Sequence, residues 1–136
     1  MGILFVNGLF PPSLQAQRAT NIRGIRCVDG TVTLDANGDL QSCTLERDYR
    51  HGNIECLGNH EINFYGSRRL QSCTLDVDIR WGSVECLREE EIGFYSSGAL
   101  RRCTLEKDLR IRGTECQRNQ EVVFDEFGSI RYCTEV

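Results

Sequence analysis

The chain has 136 residues, 40% of them hydrophobic and only 2 of them proline, a composition typical of one folded domain and unlike that of a disordered chain. The net charge of −4 and isoelectric point near 5.2 argue against nonspecific binding to nucleic acid, because there is no net positive field to displace counterions from phosphates. All but one of the 16 basic residues are arginine, which favours planar, paired contacts with acids.

Residues 1–21 lie outside the pattern that fills the rest of the chain. The apolar run from Gly2 to Phe10 is followed by Pro11, Pro12 and the small residues Ala16 and Ala19. This order resembles the second half of a secretory signal peptide, although the basic segment that normally comes first is missing. We therefore expect a signal-peptide remnant or, alternatively, an N-terminal cap on the repeat. The apolar run is too short to span a bilayer.

Residues 22–136 repeat about every thirty residues, in about four copies that we expect to form a single domain. The clearest copy runs from Glu91 through Phe94, Tyr95, Gly98 and Leu100 to the triplet Cys-Thr-Leu that ends at Leu105. Such self-similarity indicates a repeat protein, in which neighbouring copies together bury a core.

Alternating polarity predicts that each copy is built of β-strands. In residues 73–79 the odd positions are apolar, so Cys73, Leu75, Val77 and Ile79 should face the core. A glycine such as Gly98 between the strands predicts hairpin turns. The second copy has Arg68 at the equivalent position, and we expect its turn to differ. In total, two long or three short strands per copy predict roughly seven to ten strands.

Charge placement favours an antiparallel meander or roll over a β-solenoid. A solenoid would stack equivalent acids, such as Glu55 and Glu85, about 4.8 Å apart, and the equivalent arginines likewise. In a meander another strand lies between equivalent residues, so that acids can face arginines. We predict an all-β fold of tandem β-hairpins arranged as an antiparallel meander, with the solenoid as the alternative.

Eight cysteines in two interleaved columns predict disulfides and therefore an exported protein, periplasmic or secreted. If the cysteines are free, they are core residues of a cytoplasmic protein instead. Pairing within each copy uses all eight sulfur atoms. The predicted pairs are Cys27 with Cys43, Cys56 with Cys73, Cys86 with Cys103, and Cys116 with Cys133.

The unit of an acid, an apolar residue, Phe, Tyr and a later Gly and Leu, as in Glu91 to Leu100, resembles the variant MORN repeat found in many bacterial proteins. The resemblance covers residues 22–136, but the cysteines and the Cys-Thr-Leu triplet depart from the usual repeat. It implies a β-hairpin array that serves as a binding or structural scaffold, and no catalytic activity.

No motif in the sequence indicates catalysis, a metal site or a cofactor. The cysteine spacings do not suit zinc, and the two histidines, His51 and His60, lie in no recognisable catalytic pattern. We therefore expect a non-enzymatic scaffold or binding module with a protein partner, no nucleic acid and no membrane span, and with open sheet edges available for self-association. The alternative is a small immunity-type or inhibitor protein, with Gly66 to Arg69 as the break in the repeat that marks its interface.

Aromatic and arginine side chains dominate protein interfaces, and they define the predicted binding surface. Its residues are Tyr65, Arg68, Arg69, Trp81, Tyr95, Arg101 and Arg102.

Overall fold

The computed structural model describes residues 18–136. The predicted signal remnant or cap at residues 1–21 falls almost wholly outside this range; residues 19–22 form the first strand. Within the described range, no helix is long and apolar enough to cross a membrane.

Sixteen short strands lie between residues 18 and 136. They are β1 (Ala19–Ile22), β2 (Ile25–Val28), β3 (Thr33–Leu34), β4 (Leu40–Thr44), β5 (Tyr49–His51), β6 (Ile54–Cys56), β7 (Glu61–Phe64), β8 (Leu70–Thr74), β9 (Ile79–Trp81), β10 (Val84–Cys86), β11 (Glu91–Phe94), β12 (Leu100–Thr104), β13 (Leu109–Ile111), β14 (Thr114–Cys116), β15 (Glu121–Phe124) and β16 (Ile130–Cys133).

Each of the four units contributes two antiparallel hairpins. The first, which we call the minor hairpin, is a separate two-stranded sheet: β1–β2, β5–β6, β9–β10 or β13–β14. The second, the main hairpin, belongs to one eight-stranded antiparallel sheet with the order β16-β15-β12-β11-β8-β7-β4-β3. Units 1 to 4 are residues 19–44, 49–74, 79–104 and 109–133. The predicted meander is confirmed, and the sheet is open rather than a solenoid.

The predicted number of strands was too low. Each unit has four short strands, because one stretch that the sequence pattern predicts as a single strand is interrupted. The break follows the Cys-Thr-Leu triplet, where a carboxylate accepts a hydrogen bond from a backbone N–H ten residues later. Asp48 accepts from Gly58 at 2.7 Å, and Asp78 accepts from Arg88 at 2.8 Å. Val77 lies at this break and is 37% exposed, so its predicted inward orientation was wrong.

The core lies between the main sheet and the minor hairpins. Ile62, Ile92 and Val122 from the main sheet are fully buried, and so are the leucines of the Cys-Thr-Leu triplets, such as Leu75 and Leu105. The period-two alternation of the strands thus places the predicted apolar faces inward.

One disulfide in each unit, four in all, links the minor hairpin to the main hairpin of the same unit, with the pairing predicted from the sequence. They are Cys27–Cys43, Cys56–Cys73, Cys86–Cys103 and Cys116–Cys133. Four disulfides in one small chain indicate an oxidising environment outside the cytoplasm.

Acids face arginines across the minor hairpins, as the meander requires. Arg50 is the register partner of Glu55, and Arg80 is that of Glu85. Within residues 18–136 the main sheet has two open edges, at β3 and at β16.

Candidate functional site

Three clefts follow one another along the junctions between units. At each junction, the minor hairpin of the later unit leans over a phenylalanine of its own main hairpin, and apolar residues of the earlier unit form the floor. His51 stands over Phe64 with ring centroids 5.5 Å apart, and Trp81 stands over Phe94 at 5.0 Å. Ile111 and Phe124 take the same places in the third cleft.

Neighbouring clefts share side chains that line both. His51 and Arg68 line both the first and the second cleft, and Trp81 lines both the second and the third. We call the row of three clefts the junction groove. Its parts have volumes of about 170, 290 and 360 Å³, near or below the lower end of the range for small-molecule pockets, about 300–1,000 Å³. Each part is suited to one or two side chains of a longer ligand.

Two arginines meet at one carboxylate at the mouth of the first cleft. The Nε atoms of Arg23 and Arg68 lie 3.1 and 3.0 Å from the same Oδ1 of Asp39. The Asp39 side chain is 14% exposed, whereas both guanidinium groups are more than half exposed. The cluster therefore carries two positive charges against one negative charge, with most of the positive surface facing solvent.

Both arginines occupy left-handed backbone positions. Arg23 has φ 52°; units 2 and 3 have glycines such as Gly52 at its position, and unit 4 has the left-handed Arg112. Arg68 has φ 62°, and the other units have glycines such as Gly98 at its position. A left-handed residue with a Cβ costs about 1 kcal/mol or more, whereas an exposed ion pair contributes about 0–1 kcal/mol. The ion pairs to Asp39 therefore stabilise the folded protein by no more than the left-handed backbone costs it, so stability alone does not favour arginine at these two positions.

Arg68 keeps the hydrogen bond of its turn, but its φ of 62° is smaller than the 93° of Gly98, so the turn differs slightly, as predicted. The N–H of Arg68 donates to the carbonyl of Tyr65 at 3.1 Å, as that of Gly98 donates to Tyr95 at 2.9 Å. Arginine thus adopts a left-handed conformation at the position where the other units have glycine, and its side chain lines the first cleft.

His51 is the titratable side chain on the cleft wall. Partial burial beside Phe64 disfavours the charged imidazolium and lowers the pKa of His51. Its Nδ1 lies 3.5 Å from the hydroxyl of Tyr49. At neutral pH the wall is thus uncharged, and the positive charge of the cleft comes from the arginines.

Three of the seven predicted surface residues come together in the groove: Arg68, Arg69 and Trp81 all line the second cleft. Arg69 also donates to the carbonyl of Ser96 at 3.0 Å, across the junction between units 2 and 3.

The two predicted tyrosines connect neighbouring units. The hydroxyl of Tyr65 donates to the carbonyl of Phe94 at 2.7 Å, and that of Tyr95 donates to the carbonyl of Phe124 at 2.6 Å. Their hydroxyl groups are therefore used within the molecule.

The last two predicted residues, Arg101 and Arg102, belong to β12 of the main sheet. Arg102 bridges Glu91 and Glu121 on the two neighbouring strands, on the sheet face opposite the buried Cys103. The Nε of Arg101 is buried and makes no hydrogen bond.

Arg23, Asp39 and His51 were missed as site residues. Two of them depart from the repeat: Asp39 stands where the other units have Arg69, Ala99 and Ser129, and His51 stands where units 3 and 4 have Trp81 and Ile111. Arg23 does not, because unit 4 has Arg112 at the same position. A position-by-position comparison of the copies could have identified Asp39 and His51, but only the structure shows that they line the same cleft as Arg23.

No family model matches the chain, and neither a curated protein nor a solved structure is significantly similar to it. Among residues 18–136, no group of three or more His, Cys, Asp and Glu side chains is placed to hold a metal ion.

Proposed function

We propose that this protein is an exported, non-enzymatic binding module that holds an extended segment of another protein in the junction groove. The observation that carries the proposal is the repetition of three neighbouring clefts along the unit junctions, each with apolar lining and a side chain of the later unit as its wall. A long, shallow, repeated groove suits a chain with repeated side chains better than a compact small molecule.

The composition of the groove supports this role. Trp81 and Arg68 are of the residue types that dominate binding hot spots, and both lie where two clefts meet. The disulfides hold minor and main hairpins together, so the groove is preorganised and loses little conformational entropy on binding.

The relationship to the variant MORN repeat of bacterial proteins is part of the proposal. It is supported by tandem hairpin units of about thirty residues. A periplasmic or secreted location is proposed on the disulfides.

An inhibitor or immunity-type role is the second candidate. It is favoured by the placement of the repeat-breaking Arg68 at the mouth of a cleft rather than at a remote turn. In that case the segment in the groove would belong to the protein that is neutralised.

The test is selection of binders from a random peptide library displayed on phage, followed by affinity measurements with two variants. Trp81→Ile places in unit 3 the residue that unit 4 has at Ile111, so the fold should tolerate it. Arg102→Gln alters the opposite face of the main sheet. We expect enriched peptides that bind the Trp81→Ile variant at least fivefold more weakly and the Arg102→Gln variant with unchanged affinity. The proposal fails if no peptide is enriched or if the selected peptides are insensitive to Trp81→Ile.

A further inference from the structure

We infer that the segment held in the junction groove is a polyproline II helix with apolar residues at every third position and acidic residues at the end that lies on the first cleft. This inference rests on the proposed function and specifies the partner's chemistry. Three features of the groove carry it: the spacing of the clefts, their lining and their charge.

The spacing follows from the main sheet. Equivalent residues of successive units lie two strands apart, and neighbouring strands are separated by about 4.8 Å, so the clefts recur about every 9.5 Å. A polyproline II helix has three residues per turn and a rise of about 3.1 Å, so every third side chain recurs at about 9.3 Å on one face.

Other regular conformations match this spacing less well. Side chains on one face of a β-strand recur at about 6.6 or 13 Å. Those on one face of an α-helix recur at about 5.4 Å per turn, which would place every second turn on the ridge between two clefts. The polyproline II period places one apolar side chain in each cleft and none on the ridges.

The lining has the aromatic character that suits proline-rich chains. His51 over Phe64 and Trp81 over Phe94 form tilted aromatic pairs on the walls of the first two clefts. Flat aromatic faces pack against pyrrolidine rings without the need for hydrogen bonds from the proline nitrogen.

The charge along the groove determines which end of the ligand is acidic. The first cleft has Arg23 and Arg68 at its mouth, and Arg69 follows in the second. The third cleft has no arginine among its lining residues but includes Glu126. An acidic end is therefore attracted to the first cleft and repelled from the third, although the protein as a whole carries a charge of −4.

An acidic ligand gives Arg23 and Arg68 a role at the first cleft beyond their exposed ion pairs, whereas Arg112, at the left-handed position of unit 4 that is equivalent to Arg23, contacts Ser129 instead. The side chains of Arg23 and Arg68 each contact Asp39 through Nε, and both guanidinium groups are more than half exposed to solvent. A carboxylate accepts such paired donors in a bidentate arrangement. Backbone positions that cost energy and also aim charged groups into a cleft are typical of binding sites.

The experiment is a fluorescence titration that uses Trp81, the only tryptophan of the chain, as the reporter. The probe is a synthetic peptide with two glutamates followed by Leu-Pro-Pro repeats, together with its reversed sequence, because the chain direction is open. One control peptide has glutamine in place of glutamate, and a second has alanine in place of proline. The Arg23→Gly, Arg68→Gly double variant is compared with Arg112→Gly, a matched change at the equivalent left-handed position of unit 4, where Arg112 contacts Ser129.

We expect the acidic Leu-Pro-Pro peptide, in one direction, to bind the native protein about tenfold more tightly than either control peptide does. The double variant should lose that tenfold preference over the glutamine peptide, and Arg112→Gly should retain it. Equal affinities for the acidic and glutamine peptides, or for the proline and alanine peptides, would overturn the inference. If library peptides bind the groove but none of these probes does, the inference fails while the proposed function stands; if neither binds, both fail.

Discussion

The hydroxyl of Tyr95 donates a hydrogen bond of 2.6 Å to the backbone carbonyl of Phe124, in the next unit of the stack. The bond from Tyr65 to Phe94 repeats this contact one junction earlier. Two units thus use the same side chain to fix the distance and orientation of their successor, and this positions the walls of the second and third clefts.

Replacing Tyr95 with phenylalanine should destabilise the protein by about 1 kcal/mol, because the carbonyl of Phe124 loses this partner while the ring is retained. Urea unfolding with the disulfides intact measures the effect. The matched control is Tyr132→Phe, at an exposed position of β16. Equal stability of the Tyr95 variant and the native protein would show that the contact contributes nothing.

Arginine and glycine should differ in a predictable way at the turns of the main hairpins. Arg68→Gly should leave stability unchanged or raise it slightly, because relief of the left-handed strain offsets the loss of one exposed ion pair. Gly98→Arg should destabilise the protein by about 1 kcal/mol, since the strain has no ion pair to offset it. Thermal unfolding of the two variants tests both predictions. A large loss of stability in Arg68→Gly would show that the ion pair of Arg68 outweighs the backbone strain.

Protonation of His51 should make the protein less stable in mild acid. Its pKa in the folded state lies below the unfolded value of about 6.5, so the unfolded chain binds the proton more tightly. The stability is fully present above about pH 6.5 and is lost as the pH falls through and below that value. His51→Gln should remove this part of the pH dependence, as measured by urea unfolding from pH 7.5 to 5. If the free energy of unfolding of the variant depends on pH as strongly as that of the native protein, other groups and not His51 cause the loss of stability.

More of the fold than of the candidate site could be predicted from the sequence. The repeat, the alternation of apolar residues and the charge columns fix the hairpins, the meander and the cysteine pairing, because each depends on residues that recur in every copy. The extra strand break after the triplet was hidden because Leu75, Val77 and Ile79 continue the alternation across it. Only the capping carboxylate of Asp78 reveals the break.

The first cleft depends on residues that differ between copies and come from different turns. Asp39 and Arg68 are 29 positions apart, yet their side chains are in contact, and nothing in the local pattern of either residue indicates the other. Arg68 was predicted as part of an interface from its residue type. Arg23 was not, because an arginine followed by glycine is typical of an ordinary hairpin turn.

Removing a single disulfide from the interior of the stack should cost about 3 kcal/mol by the chain-entropy estimate for a loop of this length. The Cys86→Ser, Cys103→Ser double variant removes one that is fully buried. Chemical unfolding measures the loss, and the Trp81 emission reports on the junction beside it. A loss near zero would mean that packing alone holds the minor hairpin of unit 3 in place.

The most direct test of a groove built from disulfide-fastened units is the state of the cysteines in the native protein. Intact mass without reduction, followed by mapping of the linked peptides, should show the loss of eight hydrogens and four bridges, each within one unit. Eight free thiols, or a bridge between units such as Cys43 to Cys56, would contradict both the export of the protein and the rigid junctions on which the groove depends.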